Sequence, residues 1–336
     1  MWIDSHCHLE PEDFCRADAA GGLPRDERPE VLARARAAGV RRLIVIGSGH
    51  GIAEVRNAIA FAQSDPQLFA AIGIHPHDAT IVEAPAEASN AAPAEASNAA
   101  SNAAPNAAPG DSPHGPAGEG RPAIPGPRGA ELWAEIERLA TTEPRVVAVG
   151  ETGLDYFYKN STPAHQQALL RRFVRLSARI GKPLSLHIRD AHADAQRIIT
   201  EEGGAPAGGV VHCFTGGPDE AQSWLALGFH ISLSGIVTFK SATAIQAAAR
   251  LVPAERLLLE TDCPYLAPVP LRGRRNEPAY LVHTAAFVAR LRGVPPVELA
   301  ATTTRAAAAL FRLPPCDPPG AESAESAESK ARPPET

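Results

Sequence analysis

The sequence contains no long apolar run and no closely paired cysteines. No run of about 18 apolar residues occurs in its 336 residues, which predicts the absence of a transmembrane helix. The N-terminus, MWIDSHCHLE, has no basic segment followed by an apolar one, so it predicts no secretory signal. The five cysteines are widely spaced and form no CxxC pair, which disfavours a disulfide framework or a thiolate zinc site. These absences predict a cytoplasmic protein that does not associate with a membrane.

The sequence also lacks a basic excess. Its formal net charge of −6 comes entirely from residues 82–129 and 314–336, each with five acidic and two basic residues. The rest of the chain is therefore formally neutral. Proteins that bind duplex DNA by bulk electrostatics usually carry a clear positive excess, so we expect any contact with nucleic acid to be local.

The two acidic segments contain few large apolar side chains. Residues 82–129 include the octapeptide PAEASNAA twice in tandem and then a Pro/Gly-rich stretch, and residues 314–336 include AESAESAES. Such compositions bury too little surface to offset the entropy lost on ordering, so we predict a disordered insertion and a disordered tail. Removing these 48 and 23 residues from 336 leaves 265, close to the ~250 of a (β/α)8 barrel. We predict one domain, residues 1–313.

The remaining sequence alternates short apolar segments with longer segments of helical period, such as residues 163–180. This alternation predicts parallel strands joined by helices, and eight repeats favour an α/β fold of the (β/α)8 TIM barrel type. No GxGxxG or P-loop follows a strand, which disfavours the alternative of a doubly wound open sheet. The insertion follows the third predicted strand. The predicted strands are 2–6, 42–47, 68–75, 145–151, 183–188, 209–214, 229–235 and 256–262.

Residue types that bind metals recur at the carboxyl ends of these predicted strands. His6 and His8 are two residues apart in an extended segment, so both side chains point the same way. Burying many polar groups around one barrel axis requires a ligand, and a divalent cation is suitable. Four of these imidazoles with two of the carboxylates already exceed the needs of one four-coordinate ion and indicate two cations with a bridging carboxylate. The residues at strand ends are His6, His8, His75, His77, Glu151, His187, His212, Glu260 and Asp262.

Eight motifs, in this order, resemble the TatD-type deoxyribonuclease family of metal-dependent hydrolases. Glu10 departs from the family's usual aspartate, and the insertion is atypical. The resemblance otherwise covers essentially all of the 265-residue remainder. The motifs are DSHCHLE (4–10), GIHPHDA (73–79), GETGLDYFY (150–158), LHIRDAHADA (186–195), HCFTG (212–216), SLSGIVTFK (232–240), ETDCPYLAP (260–268) and RGRRNEP (272–278).

The resemblance implies a barrel hydrolase that cleaves phosphodiesters of DNA, with Asp262 and Glu151 as the catalytic residues. A single-stranded or end-accessible substrate fits the neutral charge. Mg2+ is the metal usually named for the family, whereas imidazole ligands favour Mn2+ or Zn2+, so all three remain open. The implied ligands are His6, His8 and Asp262 for one cation, His187 and His212 for the other, and Glu151 as the bridge.

Other motif residues are candidates for substrate contact. His75 belongs to the GIHPHDA motif. The loop after the last strand, beside the predicted site, is expected to contact phosphate through Arg272, Arg274, Arg275 and Asn276.

The segment after Glu151 contains three aromatic residues, Tyr156, Phe157 and Tyr158. Such residues can stack on bases, but packing beneath the barrel rim is the favoured interpretation. Arg189 is interpreted as the ion-pair partner of Asp190 or another neighbour rather than as a phosphate contact.

Two alternative functions remain at this stage. An amidohydrolase-type enzyme acting on an amide, lactone or aminoacyl ester would share the HxH motif and the strand-end histidines. However, such enzymes usually have a carboxylated lysine where this chain has Glu151. A non-catalytic metal-binding or nucleic-acid-binding protein is disfavoured by the complete ligand set. No obligate protein partner is evident.

Overall fold

A computed structural model describes residues 1–16, 25–49, 51–81 and 127–315. Eight strands form one parallel sheet in which neighbours along the chain are also neighbours in the sheet. A short antiparallel pair, β2 (Cys15–Arg16) and β3 (Arg25–Asp26), precedes the first helix. In sheet order the eight strands are β1 (Trp2–Cys7), β4 (Val40–Gly47), β5 (Leu68–Ile72), β6 (Val146–Asp155), β7 (Leu184–Arg189), β8 (Gly209–Val211), β9 (His230–Leu233) and β10 (Leu257–Leu259).

The first and last strands of the sheet meet at their carboxyl ends. The amide of Asp262 donates to the carbonyl of His6 at 3.0 Å, and the amide of His8 donates to the carbonyl of Cys263 at 2.8 Å. The sheet is therefore a nearly closed barrel, and the predicted (β/α)8 fold is confirmed.

Helices surround this sheet. In α4 (Pro163–Ile180), the side chain of Thr162 accepts a hydrogen bond from the amide of His165, and Gly181 ends the helix with a φ of 69°, a conformation that glycine adopts without strain. Its bounds agree with the predicted helix over residues 163–180. No helix in the described ranges is long and apolar enough to cross a membrane. The helices are α1 (Arg28–Ala37), α2 (Ile52–Gln63), α3 (Pro127–Thr142), α4 (Pro163–Ile180), α5 (His192–Glu201), α6 (Pro218–Ala226), α7 (Thr243–Leu251), α8 (Leu281–Arg292) and α9 (Pro296–Leu310).

The last helix, α9, closes the amino end of the barrel. Its residues Ala306 and Leu310 join the apolar cluster that the strands direct into the barrel, which includes Ile44 and Phe69. The hydroxyl of Thr304 also donates to the first carbonyl of the chain. With this end filled, a site is expected at the carboxyl end of the barrel.

The boundaries of the two predicted disordered segments need correction. Residues 127–129 begin α3, because the apolar face of this helix packs Ile136 into the core and proline is tolerated in a first helical turn. Pro314 and Pro315 also belong to the folded part of the chain, because the guanidinium of Arg42 donates hydrogen bonds to both of their carbonyls. Residues 82–126 and 316–336 lie outside the described residues, so the disorder expected there stays a prediction.

Replacing residues 84–126 with a short Gly/Ser linker should leave stability almost unchanged. The elements on either side pack into the core through their own residues, the turn Pro76–Ile81 through Ala79 and helix α3 through Ile136. Thermal melts of both proteins by circular dichroism test this expectation. A fall in Tm of more than about 5 °C, on the order of 1–2 kcal/mol for a domain of this size, would mean that the segment contains a packed element.

Candidate metal centre

The six predicted ligands converge at the carboxyl end of the barrel. Glu151 lies in β6 and His187 in β7, whereas the others lie at the end of β1 or just beyond β1, β8 and β10. Gly150 allows this convergence: its φ is +134°, and a Cβ there would lie 2.2 Å from the carbonyl oxygen of Ser185. Only glycine lets β6 approach β7 this closely and still present Glu151 to the barrel axis.

Glu151 is the centre of the cluster, and its two carboxylate oxygens face different ligands. Oε2 lies 3.6 Å from Nε2 of His6 and 3.7 Å from Nε2 of His8. Oε1 lies 2.9 Å from Nδ1 of His187 and 2.8 Å from Nε2 of His212. A carboxylate whose two oxygens face two separate pairs of imidazoles has the geometry expected of a bridging ligand.

The electrostatic setting of Glu151 favours its ionised form. The side chain is only 1% exposed. Burial acts to raise the pKa of this carboxyl, but the imidazoles of His212 and His75 outweigh burial and hold the pKa well below its usual value. A charged carboxylate is therefore available at the centre of the site.

Asp262 supplies a second buried carboxylate. Its Oδ1 lies 3.7 Å from Nε2 of both His6 and His8, and within the described ranges no group donates a hydrogen bond to this oxygen. Burial raises the pKa of Asp262 to about 7, against the opposing effect of His212 and His8. A buried oxygen that lacks a donor and faces two imidazole nitrogens fits a divalent cation, so the residues present are suited to the metal that the sequence predicts.

The two predicted sets of metal ligands, one containing His6 and the other His212, lie closer together than the sequence indicates. The rings of His6 and His212 stack with centroids 3.8 Å apart, although these residues come from the first and sixth barrel strands. The interior of an eight-stranded barrel is only wide enough for side chains, so residues on opposite strands meet at its axis.

Two further residues join the cluster. His75, predicted as a substrate contact, is buried with its Nε2 3.4 Å from Oε1 of Glu151, and it forms a possible metal-binding group with Glu151 and His187. Glu260 forms another such group with His6 and His212. Glu260 was noted at a strand end but was not predicted as a ligand.

His8 is oriented by Glu10, the residue that departs from the family's usual aspartate. Nδ1 of His8 lies 3.3 Å from Oε1 of Glu10, which leaves Nε2 to face Glu151 and Asp262. Burial acts to lower the pKa of His8, but Glu10 and Glu151 outweigh it and raise the pKa to about 9. Glutamate at this position therefore still holds the imidazole in a ligating orientation.

Asp155 was missed by the sequence analysis. Its Oδ2 accepts hydrogen bonds from Nε2 of His77 at 2.9 Å and from Nε2 of His187 at 3.1 Å. Burial acts to raise the pKa of Asp155, but the bonds from His187 and His77 outweigh it and lower the pKa. This carboxylate fixes His187 so that its Nδ1 points to Glu151. The sequence does contain a signal for Asp155: it lies four residues after Glu151, so both side chains leave the same face of one strand.

Replacing Asp155 with asparagine should weaken metal binding about 10- to 100-fold without unfolding the protein, because the amide no longer holds the imidazole in the ligating orientation. Isothermal titration with Mn2+ or Zn2+ measures the affinity. The control is Asp190→Asn, an exposed carboxylate at the end of the next strand, which should bind as the wild type does. Unchanged affinity in Asp155→Asn would show that His187 does not depend on this carboxylate.

A second buried carboxylate that the sequence analysis missed, Asp4, connects the two ends of the sheet. Its Oδ2 accepts from the hydroxyl of Thr261 at 2.6 Å, and its Oδ1 accepts from the amides of Thr261 and His6 at 3.0 and 3.3 Å. Burial raises the pKa of Asp4 to about 8. Since Thr261 precedes Asp262, Asp4 sets the position of Asp262 relative to His6.

Asn276, predicted as a substrate contact, instead makes hydrogen bonds inside the protein. It is fully buried, and its Nδ2 donates to the carbonyls of Thr261 at 2.8 Å and Tyr265 at 2.6 Å. Its amide therefore supports the segment that carries Asp262. Arg275 forms an ion pair with Glu27, so its guanidinium is directed to the loop before α1.

Arg272, Arg274 and Arg275 nevertheless line a cavity of about 220 Å3 beside the candidate metal centre. Tyr265 also lines this cavity, and its ring contacts that of His8 edge-on with centroids 6.2 Å apart. The predicted basic loop thus adjoins the site.

Comparison with known proteins identifies the family of this chain. The family model described as TatD related DNase matches residues 3–312. The metal-dependent hydrolase YcfH of Escherichia coli K12 is 48% identical over 179 residues, which cover 53% of this chain and 67% of that protein. The 3'-5' ssDNA/RNA exonuclease TatD of Cronobacter sakazakii is 34% identical over 290 residues, 85% of this chain and 92% of that protein.

A solved structure gives the same result. The crystal structure of YjjV, a TatD homologue from Escherichia coli K12, superposes with a TM-score of 0.70 at 25% identity and covers 93% of this chain and 98% of that one. The family resemblance predicted from the eight motifs is confirmed. The chain belongs to the TatD related DNase family of metal-dependent hydrolases.

Proposed function

We propose that this enzyme hydrolyses phosphodiester bonds of single-stranded DNA, or of accessible DNA ends, with two divalent cations held by the six predicted ligands. The observation that carries the proposal is the division of ligands at Glu151, whose two oxygens face two pairs of imidazoles. The relative described as a 3'-5' ssDNA/RNA exonuclease supports the choice of substrate.

Two bound cations would supply a water of lowered pKa and positive charge to neutralise the scissile phosphate. Asp262 would accept the proton of the attacking water, because its Oδ1 faces the site without a hydrogen-bond donor in the described ranges and its pKa lies near 7. A proton acceptor works best when its pKa is near the working pH. Glu151 would hold the two halves of the site together.

The basic cavity is proposed to bind the phosphate backbone. Arg272 and Arg274 are exposed at its edge, and a few arginines contribute local contacts of the kind expected for a formally neutral core. His75 lies deeper, against Glu151, so we assign it to the support of the metal ligands.

The donor atoms favour some divalent cations over others. Imidazole nitrogens favour Mn2+ or Zn2+ over Mg2+, which prefers oxygen. We therefore expect Mn2+ or Zn2+ to support activity at lower concentration than Mg2+. The cytoplasmic location stays a prediction.

A direct test compares substrates. The metal-loaded protein is incubated with end-labelled single-stranded DNA, the matching duplex, a lactone and an aminoacyl ester. We expect metal-dependent cleavage of the single strand, slower cleavage of the duplex, and no comparable turnover of the esters. Turnover of the lactone or the ester without DNA cleavage would favour the amidohydrolase alternative, and inactivity on all four would favour a non-catalytic role.

A further inference from the structure

An aromatic side chain stands exposed at the rim of the site. Phe157 is 53% exposed, and it is the only aromatic among the exposed large apolar residues of the described ranges. The sequence pattern favours packing beneath the rim for this residue, and the structure corrects that interpretation. Exposing a large apolar ring is unfavourable in the free protein, so a ring in this position beside a site is a candidate for contact with a ligand.

The position of Phe157 is tied to the metal centre. The amides of Phe157 and Tyr158 donate to Oδ1 of Asp155 at 2.9 and 3.0 Å, and Oδ2 of the same carboxylate accepts from His187. One buried side chain therefore positions both a predicted metal ligand and the exposed ring.

The positively charged guanidinium of Arg189 lies against the Phe157 ring. The guanidinium carbon of Arg189 is 4.1 Å from the ring centroid of Phe157 and 4.8 Å from that of Tyr158. Arg189 follows His187 by two residues in β7, so both side chains leave the strand on the same face. The expected ion pair with Asp190 is absent: within the described ranges no carboxylate pairs with Arg189. Its positive charge therefore remains available to an anionic ligand.

We propose that Phe157, Tyr158 and Arg189 form a nucleotide platform, which holds a nucleotide next to the scissile phosphate. The proposal rests on the proposed nuclease function. A base stacks on the exposed part of the Phe157 ring, and Arg189 contacts the adjoining phosphate. Every base has a π-face, so this platform binds without sequence preference, and it favours single strands because their bases are free to unstack.

The platform also complements the basic cavity. The cavity adjoins His8 through Tyr265, whereas the platform adjoins His187 through Asp155. A single strand bound to both would place its backbone over the ligands between them. Arg272 and Arg274 would then contact phosphates on one side of the site, and the platform would hold a nucleotide on the other.

Steady-state kinetics with two substrates test the platform. The probes are a thymidine tetranucleotide and a tetramer of the same length in which every base is absent, both assayed with the Mn2+-loaded protein. Phe157→Ala should lower kcat/KM on the tetranucleotide about 5- to 150-fold through KM, the range expected for the loss of one base–aromatic stack. The loss on the abasic strand should be clearly smaller, and Phe157→Trp should restore activity on the tetranucleotide.

Arg189→Gln gives an independent measurement. Loss of one phosphate contact should reduce the slope of log Kd against log salt by about 0.7 for a single strand. Three results would overturn the proposal. For Phe157→Ala, they are an equal loss of kcat/KM on both tetramers or no loss on either. For Arg189→Gln, it is an unchanged slope of log Kd against log salt.

The nuclease function and the platform can fail separately. If the wild type cleaves the tetranucleotide but Phe157→Ala cleaves it equally well, only the platform is excluded. If the wild type cleaves neither tetramer, the nuclease function fails, and direct binding then decides the platform. In that case the tetranucleotide should quench the indole of Phe157→Trp but not that of Val297→Trp, a residue 77% exposed on α9 at the opposite end of the barrel. If the tetranucleotide does not quench the fluorescence of Phe157→Trp, the platform is excluded.

Discussion

Replacing Asp262 with asparagine should lower kcat by about 10²- to 10⁴-fold while the protein stays folded, because the variant loses both a charged ligand and the proposed proton acceptor. The amide has nearly the same size as the carboxyl, so the packing around it is kept. Oδ1 of Asp262 makes no hydrogen bond in the described part of the chain, so no structural bond is lost at that atom. The measurements are kcat on single-stranded DNA at saturating metal and Tm by circular dichroism.

The matched control for this variant is Asp219→Asn, an exposed carboxylate in the first turn of α6. It removes the same charge without touching the site and should retain full activity. Should Asp262→Asn keep more than about a tenth of wild-type kcat, Asp262 cannot be the proton acceptor, since general-base catalysis is worth more than that.

Replacing Glu151 with glutamine should remove at least one of two bound cations and abolish most of the activity. A neutral amide bridges poorly because it has lost the charge and one of the two oxygens that face the imidazole pairs. Elemental analysis after dialysis gives the bound metal, and isothermal titration gives the stoichiometry at saturation. We expect two cations per chain in the wild type and one or none in Glu151→Gln.

Two results would contradict the binuclear site. One is a stoichiometry of one in the wild type, which would point to a mononuclear hydrolase built on His6, His8 and Asp262. The other is a stoichiometry of two that is unchanged in Glu151→Gln, which would mean that another residue bridges the cations. Glu260 would be the first alternative, since it lies in a possible metal-binding group with His6 and His212.

The barrel and most members of the candidate site were predictable from the sequence because both depend on local patterns. Alternating apolar strands and helical segments predict parallel strands with crossovers, and the helix over residues 163–180 has the predicted bounds. In a barrel of parallel strands the carboxyl ends share one face. Residues at those ends, such as His6, Glu151 and His212, therefore had to lie near one another.

The roles of the supporting residues depend on contacts that no local pattern reveals. Asp4 accepts a hydrogen bond from Thr261, which lies 257 positions later in the chain. This contact exists only because the last strand returns to the first. Asn276 resembled a surface residue in a basic loop, but closure of the barrel buries it. Phe157 resembled a packing residue, but β6 extends to Asp155 and carries the next residues to the rim.

By itself, the sequence determined the fold class, the family and the set of candidate metal-binding side chains, because residue type and strand periodicity decide which groups face the barrel axis. Only the tertiary structure decided how those groups divide between the two oxygens of Glu151, and that Asp155 and Asp4 hold them in place. The physical reason is that periodicity specifies the direction of a side chain from its own strand, whereas the distance between side chains on different strands depends on how the sheet twists and closes.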